Sequence, residues 1–230
     1  MHNKLKELQL NYQKIEDMHV DNLAKGSVKI DPYLMPGCID NRFGLSLICS
    51  IGSQFSNYSA LLSNYDEFKG CLYMYPQEDL HITLFDIFPA VSDFSISDSQ
   101  LEKYKNTFED LFSGIASFQV SLNGVLFTDM AGFVKGFDCM KVYSIRQEIR
   151  KKLKQMNLAY QERYESKIAH ITFCRFNDEL CNSSALQKVN YKLSDKALNT
   201  LTINNVSLVV HDCYNMKSKT NIISNIPLGG

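Results

Sequence analysis

His81-Ile82-Thr83-Leu84-Phe85 and, 89 positions further on, His170-Ile171-Thr172-Phe173 repeat one phrase, each inside a run that reads as a β-strand. Successive side chains in a strand point to opposite faces, so His81 and Thr83 share one face while Ile82 and Leu84 point into a core. His170 and Thr172 repeat that geometry. Two such strands from two halves of one domain can set two imidazoles and two hydroxyls around a common cleft. A lone histidine on a half-buried strand is ordinarily a satisfied structural group. A matched pair, in a chain with five histidines, points instead to acid–base chemistry at a phosphoryl group.

The rest of the chain bounds what that chemistry serves. At 230 residues, 45% hydrophobic and 21% charged, it is long enough for one sizeable domain or two small lobes sharing a sheet. A formal charge of −1 and a pI near 6.5 lack the basic footprint of a protein that coats long nucleic acid, so a small nucleotide or a short RNA end fits better. Seven cysteines (Cys38, Cys49, Cys71, Cys139, Cys174, Cys181 and Cys213) are scattered without a CxxC pair in a chain that begins without an apolar signal segment. They read as free thiols in a reducing compartment, and the cytoplasm is the expected location. No apolar run approaches the roughly 18 residues of a membrane span.

Flanking the motifs, helical and strand patterns alternate in two similar halves. Leu5, Leu8, Tyr12 and Ile15 form a helical stripe ending before Lys25-Gly26, and Pro32, Pro36 and Gly37 mark a loop before a strand at 44–51. Tyr58, Leu61, Tyr65 and Phe68 predict a helix closed by Gly70, and 71–75 a strand. Ser99-Gln100-Leu101-Glu102 reads as a capping box for a helix with stripe Leu101, Tyr104, Phe108 and Leu111. A strand at 118–122 is followed by a hairpin, 125–128 and 133–137, about a turn at 129–132. The next helix carries Val142, Ile145, Ile149, Leu153 and Met156, with Lys141, Arg146, Arg150, Lys151, Lys152 and Lys154 read as a solvated face outside the site. Strands at 168–176, 206–213 and 222–227 complete the pattern.

The paired His-hydrophobic-Thr-hydrophobic motifs resemble the signature of the two-histidine phosphoesterase superfamily, the LigT-like and cyclic-phosphodiesterase proteins. Tyr75-Pro76-Gln77-Glu78-Asp79-Leu80 is similar to the proline and acidic turn before the family's first motif, and Ile226-Pro227-Leu228 resembles its last edge strand. The resemblance covers roughly residues 40 to 228. It implies an α+β, bilobal fold: two pseudo-twofold-related, mainly antiparallel sheets with outer helices and a central cleft. Residues 1–35 are then an N-terminal helical extension and 36–230 a single bilobal domain. It further implies a metal-independent phosphodiesterase acting on 2′,3′-cyclic phosphate or 2′-5′ bonds of nucleotides or RNA ends, with His170 the base, His81 the acid, and Thr83 and Thr172 donors to the phosphate oxygens.

The residues agree with such chemistry. Opening a cyclic phosphate needs a base for the nucleophile and an acid for the leaving oxygen, and two histidines near neutrality supply both, with a bell-shaped pH dependence. Phe85, Phe173, Tyr75, Tyr214 and Phe43, with Tyr73, are available to stack a base, and each stacked base contributes about 1–3 kcal/mol. Lys167 and Arg175 flank the second motif, but surface charge is the simpler reading of both, and regular alternation turns Arg175 away from His170. A zinc centre is not expected: His211 with Cys213, or His170 with Cys174, lacks the rest of a ligand set. The phosphate loop GxxxxGK[ST] and the GxSxG elbow are absent. The expected partner is a nucleotide or short RNA bound by a monomer without cofactor, membrane or long duplex nucleic acid. The rival is a nucleotide-binding sensor or sponge using the same cleft; a third reading makes the N-terminal helix a docking element.

Overall fold

Both motif runs are strands, and they lie in two different sheets of a computed structural model that describes residues 2–162, 164–180 and 182–229. In chain order the first half comprises α1 (His2–Ala24), β1 (Phe43–Ser50), α2 (Tyr58–Leu62), β2 (Leu72–Met74), β3 (His81–Val91) and α3 (Asp98–Ser113). The second comprises β4 (Phe118–Phe127), β5 (Ala131–Phe137), α4 (Lys141–Gln155), β6 (Ala169–Phe176), α5 (Ser183–Leu193), β7 (Ala197–Ile203), β8 (Asn205–Asp212) and β9 (Asn221–Pro227). One sheet runs β3-β1-β8-β9 and the other β2-β6-β5-β4-β7, with antiparallel neighbours throughout. This is the α+β, two-sheet architecture expected, and the sheets meet where β3 packs against β6.

Alternation builds the core. Ile82, Leu84 and Ile87 on β3, and Ile171, Phe173 and Phe176 on β6, are wholly or almost wholly buried in one apolar cluster that also takes Tyr104, Phe108 and Phe112 of α3 and Ile145, Ile149 and Leu153 of α4. Leu8 and Tyr12 of α1 pack against Leu126, Phe133, Met140 and Ile168, while Leu5 is exposed. The Tyr12 hydroxyl accepts the Gly136 N–H at 2.9 Å and donates to the Ala169 carbonyl at 2.5 Å, next to His170.

Three local expectations are corrected. The α3 capping box is built by Ser97, not Ser99: Ser97 has the extended backbone a cap requires, its Oγ accepts from the Gln100 N–H, and Gln100 returns a bond to the Ser97 N–H. The strand and hairpin expected over 118–137 are two long strands, because Gly124 at φ +80° lets β4 continue through an irregularity, with the Ser194 carbonyl where a Cβ would sit. A segment with no element expected above, 182–203, forms α5 and β7, started by Asn182, whose side chain accepts the Ala185 N–H. The basic face of α4 is not wholly solvated, since Arg146 is buried and Arg150 pairs with Glu162 at 2.6 Å.

Cys38, Cys49, Cys139 and Cys174 are free thiols, whereas Cys181 lies outside the described residues. Among the described residues no helix is long and apolar enough to cross a membrane.

Candidate active site

Each motif strand carries a β-bulge at the same place. On β3, Leu47 of β1 pairs with Phe85 and the adjacent Ile48 with Thr83, leaving Leu84 as an extra residue. On β6, Gly132 of β5 pairs with Cys174 and Phe133 with Thr172, leaving Phe173 extra. A bulge sets two residues opposite one, so the inside–outside alternation reverses beyond it. Hence Leu84 and Phe85 are both buried, as are Phe173 and Cys174. The cleft face then reads His81, Thr83, Asp86 on one strand and His170, Thr172, Arg175 on the other. All six line one cavity of about 190 Å³.

The two imidazoles are held differently. The Asp79 carbonyl can only accept, so its 2.8 Å contact with His81 Nδ1 fixes the proton on Nδ1 and leaves the Nε2 lone pair free. The Nε2 atom meets the Asn215 amide nitrogen at 3.2 Å. His170 packs its ring against Phe133 at 4.9 Å, and its buried Nδ1 has no hydrogen-bond partner among the described residues. Burial lowers His81 from its ordinary 6.5 to about 4, opposed by the Asp79 carbonyl bond, which favours the protonated ring. Burial, reinforced by the Arg146 charge, lowers His170 to about 3. Both rings are neutral at neutral pH.

Arg175 extends beside Tyr75, donating from Nε to its hydroxyl at 3.0 Å, with the guanidinium over the Tyr214 ring at 5.7 Å. Neither contact neutralises it, so a positive fork faces the cleft.

The family model described as the 2′-5′ RNA ligase superfamily matches residues 62–215, a span that takes in both motifs and ends at Asn215. The chain belongs to this superfamily, the two-histidine phosphoesterases. Among solved structures, E. coli LigT complexed with 3′-AMP aligns with 82% of this chain and 99% of its own at TM-score 0.55 and 11% identity. A protein of unknown function from Agrobacterium tumefaciens covers 91% and 97% at TM-score 0.55 and 16% identity, and TT0787 of Thermus thermophilus covers 82% and 98% at 0.53 and 13%. These likenesses speak for the two-histidine fold. No curated protein gave a match.

Within this superfamily fold, the anticipated side chains divide. Tyr75, Tyr214 and Phe85 line the cavity with the histidines and threonines. Phe85 is 2% exposed, its ring against Tyr160 and beneath the Arg150 guanidinium, so it forms wall rather than stacking surface. Phe173 is fully buried on the core face it shares with Ile171, and Phe43 starts β1 outside the cavity lining, so neither reaches the cavity. Lys167 is a surface group near Glu7 at 3.6 Å.

Three groups escape a reading by periodicity. Arg175 reaches the cleft through the bulge. Arg146 donates to the Thr83 and Leu84 carbonyls of β3 at 2.9 and 2.8 Å and to the Ser166 and Ile168 carbonyls before β6 at 2.9 and 2.8 Å, joining the two motif strands under the cavity. Asp86 accepts from Ser46 Oγ at 2.7 Å, and Ser46 Oγ meets His211 Nε2 at 2.8 Å, a polar chain across three strands. A signal for Arg146 exists in hindsight: it is the basic position one residue after Ile145 on the apolar stripe. Among the described residues no group of three His, Cys, Asp or Glu side chains is placed to hold a metal ion.

Proposed function

We propose that this chain is a metal-independent phosphodiesterase acting on 2′,3′-cyclic phosphate or 2′-5′ phosphodiester bonds of nucleotides or RNA ends, with His81 and His170 as its acid–base pair. The observation that carries this reading is the pair of bulged strands turning His81, Thr83, His170, Thr172 and Arg175 into one cavity. The superfamily membership supports phosphoester chemistry, and E. coli LigT, with the same fold, has been solved with 3′-AMP and with ATP.

Both rings are neutral at neutral pH, so binding of a phosphodiester brings the proton balance the reaction needs. Its negative charge raises the affinity of both imidazoles for a proton. The proton goes to His81, because the Asp79 carbonyl bond stabilises its imidazolium, while His170 has no partner at Nδ1 and the Arg146 charge nearby. His81 is therefore the acid and His170 the base, the assignment that the family resemblance also implies.

On a cyclic phosphate, His170 takes a proton from water as the water oxygen attacks phosphorus. One ribose P–O bond breaks, and the departing oxygen takes the proton from His81 Nε2. Solvent returns the proton from His170 to His81. On a 2′-5′ linkage, the neighbouring 3′ hydroxyl replaces water, the 5′ hydroxyl leaves, and a cyclic phosphate remains. The Thr83 and Thr172 hydroxyls and the Arg175 fork meet the non-bridging oxygens as charge gathers there, each donor contributing roughly 10²-fold in rate.

The test is an EDTA-treated turnover assay by mass spectrometry on 2′,3′-cyclic mononucleotides, 2′-5′ oligoadenylate and cyclic dinucleotides. Turnover of a cyclic phosphate or a 2′-5′ bond is expected. Binding without conversion of any of them would move the chain to the nucleotide-binding reading.

A further inference from the structure

Asn215 lies in the turn after β8, buried and in left-handed backbone at φ 55°, a conformation that non-glycine residues other than Asn and Asp seldom take. The turn is tightly made. Asp212 Oδ1 accepts the N–H groups of Tyr214 and Met216 at 3.1 and 2.9 Å, and the Asn215 N–H reaches the Asp212 carbonyl at 3.3 Å. The Lys217 N–H then binds Asp79 Oδ1 at 2.8 Å. The same two segments thus hold His81 at both ring nitrogens: Asp79 at Nδ1 through its carbonyl, and Asn215 at Nε2 through its amide.

The amide has two ends, and only one is in use. Nδ2 donates to the Nε2 lone pair of neutral His81, whereas Oδ1 is buried without a hydrogen-bond partner among the described residues. A half-turn about the last side-chain bond exchanges the two ends without moving the backbone. The oxygen then accepts from a protonated Nε2, and the nitrogen takes the orphan's place. One end of the amide lacks a partner in either state, so the protonation of Nε2 alone selects which end faces the ring.

We propose that Asn215 is the positioning residue of His81, giving its amide nitrogen to the neutral ring and its amide oxygen to the protonated ring until the departing oxygen takes its place at the Nε2 proton. The proposal rests on the phosphodiesterase reading for its catalytic meaning, but its structural content is independent of it. The charged and titratable groups around His81 are Asp79 and Asp86 from its own strand and lead-in, His170 and Arg175 from β6, and His211 from β8. They set the affinity of the ring for a proton. Asn215 touches the exchanging nitrogen and holds the ring before and after the exchange.

Two variants test this. Asn215→Asp keeps the shape and the left-handed backbone but offers only acceptors, and Asn215→Gly removes the amide without backbone strain. Imidazole nitrogen resonances, followed by long-range 1H–15N correlation in the full chain without substrate, report the His81 tautomer and titration directly. The expected results are an Nδ1–H tautomer in the wild type and a His81 pKa raised by about one unit or more in Asn215→Asp. With substrate, Asn215→Asp should move the alkaline limb of kcat upward in pH. Asn215→Gly should lower kcat about tenfold with KM within about twofold, the pattern of a lost transition-state contribution. An unchanged His81 titration in Asn215→Asp, together with an unchanged kcat in a folded Asn215→Gly, would make Asn215 only a turn residue and overturn the proposal. A shifted titration with no turnover of any substrate would sustain the Asn215–His81 coupling while defeating the phosphodiesterase reading.

Discussion

Burial decides the state in which the two imidazoles wait for a ligand, and it has a consequence outside catalysis. Their folded values, about 4 and about 3, lie below the 6.5 of an exposed ring, so between these limits the unfolded chain binds more protons than the folded one. The stability associated with keeping both rings neutral is intact above pH 6.5 and is lost as the pH falls through that window. Urea midpoints should therefore decline on acidification from pH 6.5 toward 4, and a His81→Gln/His170→Gln double variant should show a shallower decline. Equal slopes would contradict the depressed values. Arg175 carries a second prediction. Arg175→Ala should reduce kcat/KM by about 10²-fold or more, and Arg175→Lys should restore only part of it, because a lysine keeps the charge but not the two-pronged geometry. A residue scan of the sequence finds His81, Thr83, His170 and Thr172, since types and spacing alone identify them. It names Arg175 but turns it away from the cleft, because a bulge two residues before it sets its direction, and it does not find Asn215, whose contact with His81 spans 134 positions.

At the scale of elements, the cleft depends on how β3 and β6 are held in register with each other. Arg146 does this from beneath, satisfying carbonyls on both sides with one planar group. Arg146→Lys replaces a fork by a single ammonium and leaves buried carbonyls without donors. It should destabilise the chain by about 3 kcal/mol or more, measured by chemical denaturation, and lower activity with it. A change under 1 kcal/mol would refute that role. Tyr12 is a smaller counterpart from α1. Tyr12→Phe strands the Gly136 N–H and the Ala169 carbonyl and should cost about 1–3 kcal/mol. Helices α1, α3 and α4 are legible from apolar stripes, because a stripe is a property of one segment. The bulges at Leu84 and Phe173 are not legible, because an extra residue exists only relative to the strand it pairs with. The position of the α3 cap shows the limit between the two: both Ser97 and Ser99 have capping chemistry, and only the backbone at Ser97 selects it.

For the molecule as a whole, the repeated motif foretells more than either copy alone. Two strands of one design, each bulged after its threonine, bring equivalent faces together where the sheets meet, so that five residues past each histidine one strand offers Asp86 and the other Arg175. The cleft is polarised by this difference, with a guanidinium on the β6 side and a carboxylate that accepts from Ser46 on the β3 side. The two-lobed α+β plan is readable in advance because alternating strand and helix patterns recur in both halves. Segments α5 and β7 are not, since only two or three apolar positions in each are buried and their place is set by packing beside β4. The N-terminal helix is proposed to belong to the folded unit, given what Leu8 and Tyr12 bury. The central claim is that His81 and His170 act as one acid–base unit. The measurement that tests it most directly is kcat/KM, in EDTA, for His81→Ala, His170→Ala and the double variant on the substrate the wild type turns over. Each single variant should lose about 10²- to 10⁴-fold, and the double variant should be little worse than the poorer single. Single variants with wild-type turnover, or losses that multiply in the double variant, would contradict the account.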